Sequence, residues 1–192
     1  MPDELIDIYD ADNRPIGVRK MKHAAHKDGS WHRAAHVWIY NSKGEILLQL
    51  RAKTKDLYPD RWDISAAGHA GAGESEVDAA IRETREEIGL TVKPEDLQFF
   101  KIRELKIDTP QMKNDEFCYV YFLKFDGGTN TFRMDDGEVA EVKFISIDEL
   151  EADLKNHTEK YAQHGSYWDE VIEEVKLKMQ SARIATSSDS SQ

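Results

Sequence analysis

The sequence predicts an α/β fold with an N-terminal β-hairpin extension. Two observations carry that class. Short apolar or alternating segments recur along the chain between clusters of Gly, Pro, Asn and Asp, as strands do. Between them stand stretches with apolar residues at helical spacing, around residues 75–88 and 167–179.

Taken in order, Leu5 to Tyr9 alternates, Asp10 to Pro15 supplies turn residues and Ile16 to Arg19 returns, which is a hairpin ahead of the main sheet. Arg19 to Arg33 is dense in His and Lys. Ala34 to Tyr40 and Glu45 to Arg51 read as a second hairpin around Asn41-Ser42-Lys43-Gly44. A basic loop carrying Lys53, Lys55, Tyr58, Pro59 and Arg61 leads to a short strand, Trp62 to Ser65, which delivers the chain into Gly68. A helix is predicted from Ser75, which with Asp78 has the form of a capping box, to Ile88, where Gly89 ends it.

Leu97 to Ile107 and Phe117 to Phe125 read as strands, with Asp108 to Asp115 as the loop between them. Asp126 to Gly137 reads as an exposed polar loop, Val139 to Ser146 as a strand and Asp148 to Leu154 as a short helix. Tyr167 to Met179 is amphipathic, with Trp168, Val171, Ile172, Val175 and Met179 on the stripe that docks on a core. Residues 1–180 are expected to form one domain and 181–192, poor in apolar residues, a disordered tail.

Composition narrows the function. A net charge of −11 argues against nucleic acid or an anionic membrane as partner, and means that an anionic substrate needs local cations. Cys118 is the single cysteine, so an intrachain disulfide is excluded and a reducing compartment is expected. Without an apolar signal core or a run long enough to span a bilayer, the protein is expected to be cytoplasmic.

The predicted central helix is the organising element. Val77, Ala80, Ile81, Thr84 and Ile88 fall on its core-facing stripe, and Glu83, Glu86 and Glu87 are read as grouped on the far side. Like charges at these spacings repel. Arg82 and Arg85 read as lying toward another side, so a hard cation is the better offset, and magnesium takes oxygen ligands and bridges to phosphates.

Gly68, Glu74 and the run Arg82-Glu83-Thr84-Arg85-Glu86-Glu87-Ile88-Gly89-Leu90 resemble the Nudix signature G-x5-E-x7-R-E-U-x-E-E-x-G-U, where U is aliphatic. Chance agreement at the fixed positions in such a chain is on the order of one in a million. Thr84 departs from the pattern but keeps a methyl on the core stripe. The resemblance implies a mixed β-sheet sandwiched between α-helices, and a metal-dependent hydrolase acting on a diphosphate linkage. It assigns magnesium, with manganese as a substitute, to Glu83, Glu86, Glu87 and the Gly68 carbonyl. Glu74 is expected to brace the loop or join a metal shell, and Arg82 to orient a neighbouring carboxylate. Glu86, Glu116 and Glu138 are candidate general bases.

A narrower resemblance covers roughly Asp3 to Phe125. DELIDIYDADNRPIG, Ala24-Ala25-His26, His32-Arg33-Ala34 and Trp62-Asp63-Ile64-Ser65-Ala66-Ala67-Gly68-His69 are similar to type 1 isopentenyl diphosphate isomerase and its Nudix relatives. It implies a second metal site at His26, His32, His69 and Glu116, with Asn114 where the isomerase has another glutamate. The isomerase's acid/base cysteine falls on Ala67, which has no proton to exchange, while the Nudix box that is eroded in the isomerase is intact here. Both departures point to hydrolysis.

Arg51, Lys55 and Arg61 are candidate phosphate contacts, and Trp31, Trp38 and Trp62 candidate walls for a base or prenyl chain. The partner expected is a small diphosphate compound, either a nucleoside diphosphate linked to another group or a prenyl diphosphate, bound by a monomer or homodimer. The rival readings are an isomerase-like enzyme and a noncatalytic binder of a diphosphate ligand.

Overall fold

The computed structural model describes residues 3–109, 112–134 and 137–189. Among them are nine strands and four α-helices, the α/β class expected. The chain divides into two compact units, each built from separated segments: Met1–Val37 with Ser65–Leu123, and Trp38–Ile64 with Lys124–Gln192.

The first unit opens on the expected hairpin. Strands β1 (Leu5–Tyr9) and β2 (Pro15–Met21) pair antiparallel with Leu5 opposite Met21. Asp10 Oδ1 closes the turn by accepting from the amides of Asp12 and Arg14, and Asn13 takes the left-handed conformation. Ile6 and Ile8 turn inward and form a small core with Ala25 of helix α1 (Lys22–Asp28). That helix lies in the stretch read only as rich in His and Lys. It has a single buried side chain, too little periodicity to see, and Gly29 ends it in the left-handed region.

Strand β3 (His32–Tyr40) is shared by both units. In the first, its early residues pair with β6 (Ala66–His69), Ala35 opposite Gly68, and β3 neighbours β8 (Lys113–Lys124), which pairs with β7 (Leu97–Asp108). The strand read over Trp62–Ser65 is shorter, β5 (Trp62–Asp63), and after Ile64 and Ser65 the chain forms β6, which was not read as a strand. The loop read over Asp108–Asp115 is shorter, since Asp108 already faces Lys113 across the ladder. Asn114, which fell in that loop reading, is with Glu116 a buried residue of β8. Pro110 and Gln111 lie outside the described residues. Helix α2 (Glu76–Ile88) also belongs to this unit.

In the second unit β4 (Glu45–Arg51) pairs with the end of β3 at Tyr40 and Ile46, with β5, and with β9 (Val139–Ser146). Helix α3 (Ile147–Asn156) is capped by Ser146, whose hydroxyl accepts from Glu149 N–H. Helix α4 (Tyr167–Asp189) buries Trp168, Val171, Ile172 and Val175 as its stripe predicts, and Trp38 Nε1 donates to Tyr167 Oη at 2.8 Å. The helix runs on to Asp189, through most of the stretch expected to be a disordered tail. Ser181, Ala182, Arg183 and Ile184 are all exposed there. Ser190–Gln192 lie outside the described residues. Among the described residues no helix is long and apolar enough to cross a membrane.

Candidate active site

Helix α2 begins and ends on local chemistry. Ser75 Oγ accepts from Asp78 N–H at 3.1 Å, and Gly89 caps the far end at φ 71°. Between these caps the three glutamates grade from buried to exposed. Glu87 is 1% exposed, the Glu83 side chain 12% and the Glu86 side chain 50%.

This corrects the expectation that all three stand on the far side. Glu87 follows Ala80 and Thr84 by helical multiples, so it lies at the edge of the core stripe. Its Oε2 accepts from Ala67 N–H at 2.9 Å. The Glu83 carboxylate packs against the next residue, Gly68, whose Cα it approaches so closely that no Cβ would fit. Adjacent backbone positions of β6 therefore meet two acids that stand one turn apart on α2. Burial raises the Glu83 carboxyl above its ordinary value although Arg82 pulls it down.

Arg82 also stands corrected. It was expected on another side of the helix, yet its long side chain reaches back across the acids. Nη1 donates to Glu83 at 2.7 Å and Glu86 at 3.1 Å. Nε and Nη2 grip the two Glu74 oxygens at 2.9 Å each, and Nη2 also reaches the His69 carbonyl at 2.8 Å. Glu74 in turn accepts from Gly71 N–H at 2.9 Å and so braces the loop ahead of the helix. One guanidinium thus offsets part of the charge of Glu74, Glu83 and Glu86.

Beside them, four elements of the same unit bring His26 from α1, His32 from β3, His69 from β6 and Glu116 from β8 into one cluster. Their ligand atoms all lie within 4.8 Å of one another. His69 Nε2 is 3.1 Å and His32 Nε2 3.5 Å from Glu116 Oε1, and His26 Nε2 is 3.3 Å from His32 Nε2. His32 Nδ1 meets the Ser30 carbonyl at 2.8 Å, which leaves Nε2 directed at the cluster.

Burial and the neighbouring rings press His26 down to about 4. For His69, burial is outweighed by Glu116 and Glu4, which lift it to about 9. Burial opposes the ionised form of Glu116 as well, but His32 and His69 outweigh it and hold the carboxyl well below the carboxylate range. Asn114 Nδ2 donates to Glu116 Oε1 at 2.9 Å, while its Oδ1 is buried with no hydrogen-bond partner. Cys118 Sγ sits 3.6 Å from Glu116 Oε2. Burial, and then Glu116, push the thiol well above its ordinary range.

Sequence reasoning missed Glu4. Its Oε1 lies 3.2 Å from His69 Nδ1, opposite the nitrogen that meets Glu116. The acidic amino terminus gave no sign of a role near His69, which is far away in the chain.

The candidate substrate contacts belong to the second unit, where most are engaged. Arg51 Nε donates to the Leu57 carbonyl at 2.8 Å and Nη1 lies 3.4 Å from Asp63. Lys55 Nζ pairs with Glu138 at 2.8 Å, so the acid considered as a general base closes a loop instead. Arg61 accepts from Arg51 N–H through its carbonyl, and the Trp62 ring lies beneath Lys143 Nζ at 4.3 Å. Trp38 is wholly buried and is a core residue rather than a pocket wall. Trp31, in the first unit, stacks on Phe117 with centroids 4.3 Å apart.

A NUDIX domain model matches residues 30–164. The chain belongs to the Nudix family. Among Nudix relatives, an uncharacterised Nudix hydrolase of Clostridium acetobutylicum is 33% identical over 159 residues, covering 81% of this chain and 76% of that protein. Isopentenyl-diphosphate Delta-isomerase of Escherichia coli is 30% identical over 148 residues, 77% and 79% of the two chains. A crystal structure of a Deinococcus radiodurans protein superposes with a TM-score of 0.65 at 22% identity, covering 90% of this chain and 99% of that one, a likeness of fold.

Proposed function

We propose that this Nudix chain hydrolyses a diphosphate linkage in a small molecule, using magnesium held by Glu83, Glu86, Glu87 and the Gly68 carbonyl. The observation that carries the reading is the meeting of α2 with β6: Glu87 on the Ala67 amide, Glu83 against Gly68, and Glu86 beside them reaching solvent. These are carboxylate and carbonyl oxygens, the donors a hard cation takes, and Gly68 leaves room for the approach that a side chain would block. Bound there, magnesium or manganese supplies charge neutralisation at phosphate oxygens and a coordinated water of lowered pKa.

The chain's own groups do the rest. Arg82 holds Glu83 and Glu86 in register, and Glu74 fixes Arg82 to the loop. Glu86, the exposed acid, is the group we assign to accept the proton of the attacking water. Glu116 is enclosed by His32, His69 and Asn114, which suits it to ligation rather than to base catalysis.

His26, His32, His69 and Glu116 form a second candidate metal site with mixed nitrogen and oxygen donors, a set that suits manganese or zinc. The unpartnered Asn114 Oδ1 supports it, as a buried polar atom beside the cluster that lacks a donor.

The histidine cluster and the isomerase relative also favour a second reading, isomerisation of a prenyl diphosphate. Ala67 weighs against it, because that side chain has no proton to give or take. Release of phosphate, diphosphate and nucleotide from a panel of nucleoside diphosphate derivatives and prenyl diphosphates, with magnesium, tests the proposal. Turnover that is lost in Glu86→Gln supports hydrolysis. Interconversion of isopentenyl diphosphate without phosphate release would favour the isomerase reading, and no turnover would leave a binding role.

A further inference from the structure

We propose that Glu4 is a positioning residue for His69, holding the ring so that Nε2 is offered to the second metal site, which makes the N-terminal hairpin a working part of that site. The inference rests on reading His26, His32, His69 and Glu116 as metal ligands. A ligating imidazole must present a lone pair at one nitrogen and carry its proton on the other. A carboxylate at the second nitrogen selects that tautomer and stops the ring from turning.

His69 has such a carboxylate at Nδ1, and a metal ion at Nε2 would displace the proton that faces Glu116. Glu4 Oε1 lies 3.2 Å from Nδ1, and Nε2 lies 3.1 Å from Glu116 Oε1. A flipped or rotated ring would lose both contacts.

Glu4 is itself held in place by backbone and side chain. Its carbonyl accepts from Lys22 N–H at 2.8 Å, and Lys22 Nζ pairs with its carboxylate at 3.1 Å. One residue on, the Leu5 carbonyl accepts from Ala72 N–H at 2.9 Å, and Ile6 bridges to Gly71. The hairpin is therefore stitched to the segment that follows His69, and the distance from residue 4 to the ring is set by main-chain bonds. Glu4 and Lys22 both precede the residues that match the NUDIX domain, 30–164. His32 shows the same device with a carbonyl in place of the carboxylate, its Nδ1 on Ser30 O.

The bland account makes Glu4 and His69 an ion pair that only pins the hairpin down. Metal binding separates the two. The full-length chain, stripped of metal, is titrated with cobalt(II) alone and followed by visible absorption and calorimetry, with circular dichroism as the check on folding. Wild type should bind cobalt with visible bands displaced from those of the aqua ion, as nitrogen donors displace them, and His26→Ala should bind it more weakly. Glu4→Ala should keep its fold and weaken cobalt binding by about 10–100-fold, the usual cost of removing such a partner. Glu4→Gln, whose amide oxygen still accepts from Nδ1–H, should fall between. Lys22→Met, which removes the hairpin's ion pair but not the contact with His69, should bind near wild type.

Wild-type affinity in Glu4→Ala overturns the inference and leaves the metal site standing. An equal loss in Lys22→Met also overturns it, because hairpin packing is then the cause. Absence of the nitrogen-ligated spectrum in wild type removes the metal-site reading and this inference together, while hydrolysis lost in Glu86→Gln is scored separately.

Discussion

The Glu83 carboxylate fills the space that a Cβ on Gly68 would need. A methyl there must push the acid away or move β6, and neither leaves the oxygens of α2 where they are. Gly68→Ala is expected to fold and to lose turnover by about 100-fold, the scale of an ångström-sized misplacement in a catalytic group. Steady-state hydrolysis at saturating magnesium checks this, and activity within a few-fold of wild type would remove the glycine from the site.

Arg82 offsets the repulsion among Glu74, Glu83 and Glu86 in the metal-free protein. Arg82→Ala should therefore destabilise the metal-free chain by about 2 kcal/mol, less than a fully buried pair because the guanidinium keeps contact with water. Magnesium should restore more stability to this variant than to wild type, since the cation takes over the missing charge. Melting temperatures with and without magnesium decide it. Equal shifts in both proteins would mean that the acids do not share the ion.

Thr84 departs from the aliphatic pattern of the Nudix box, and its hydroxyl is satisfied locally, donating to the Ala80 carbonyl at 2.6 Å while fully buried. That carbonyl is already in the helix ladder, so the extra bond contributes little. Thr84→Val should change unfolding free energy by less than about 1 kcal/mol in either direction. A larger loss in a denaturant titration would mean that the hydroxyl has a further partner.

In the second unit, burial opposes the ionised form of Asp63, but His164 at 2.6 Å and Arg51 at 3.4 Å overcome it and bring the carboxyl from 3.8 to about 2. A folded value below the unfolded one stabilises the protein above the unfolded value. That contribution is lost as pH falls from about 4 to about 2, and amounts to about 2 kcal/mol. Denaturant unfolding of wild type and Asp63→Asn across this range should show the gap between them closing at the acid end. A gap that is constant with pH would contradict the shift.

Helix α2 was legible because everything that makes it is local: the Ser75 cap, the Gly89 stop and residues at helical spacing. The inward turn of Glu87 could have been read from its spacing to Ala80 and Thr84, but glutamate's usual exposure obscured it. Helix α1, which buries Ala25, and the extension of α4, exposed at residues 181–184, were missed because their sequences carry no apolar stripe at helical spacing.

The sequence by itself determined the family and the class of fold, and it named the α2 acids, Gly68 and, through resemblance, His26, His32, His69 and Glu116 as candidate site residues. The Nudix box is one contiguous stretch, where residue type and spacing carry the chemistry. Only the tertiary structure decided which charges meet. Lys55 and Glu138 pair across 83 residues, and Glu4 reaches His69 because main-chain bonds bring the hairpin beside the segment that follows β6. Pairings of this kind depend on how the chain closes on itself, and side chains that look alike as solvated ions in a sequence acquire partners only when strands distant in the chain are registered against one another.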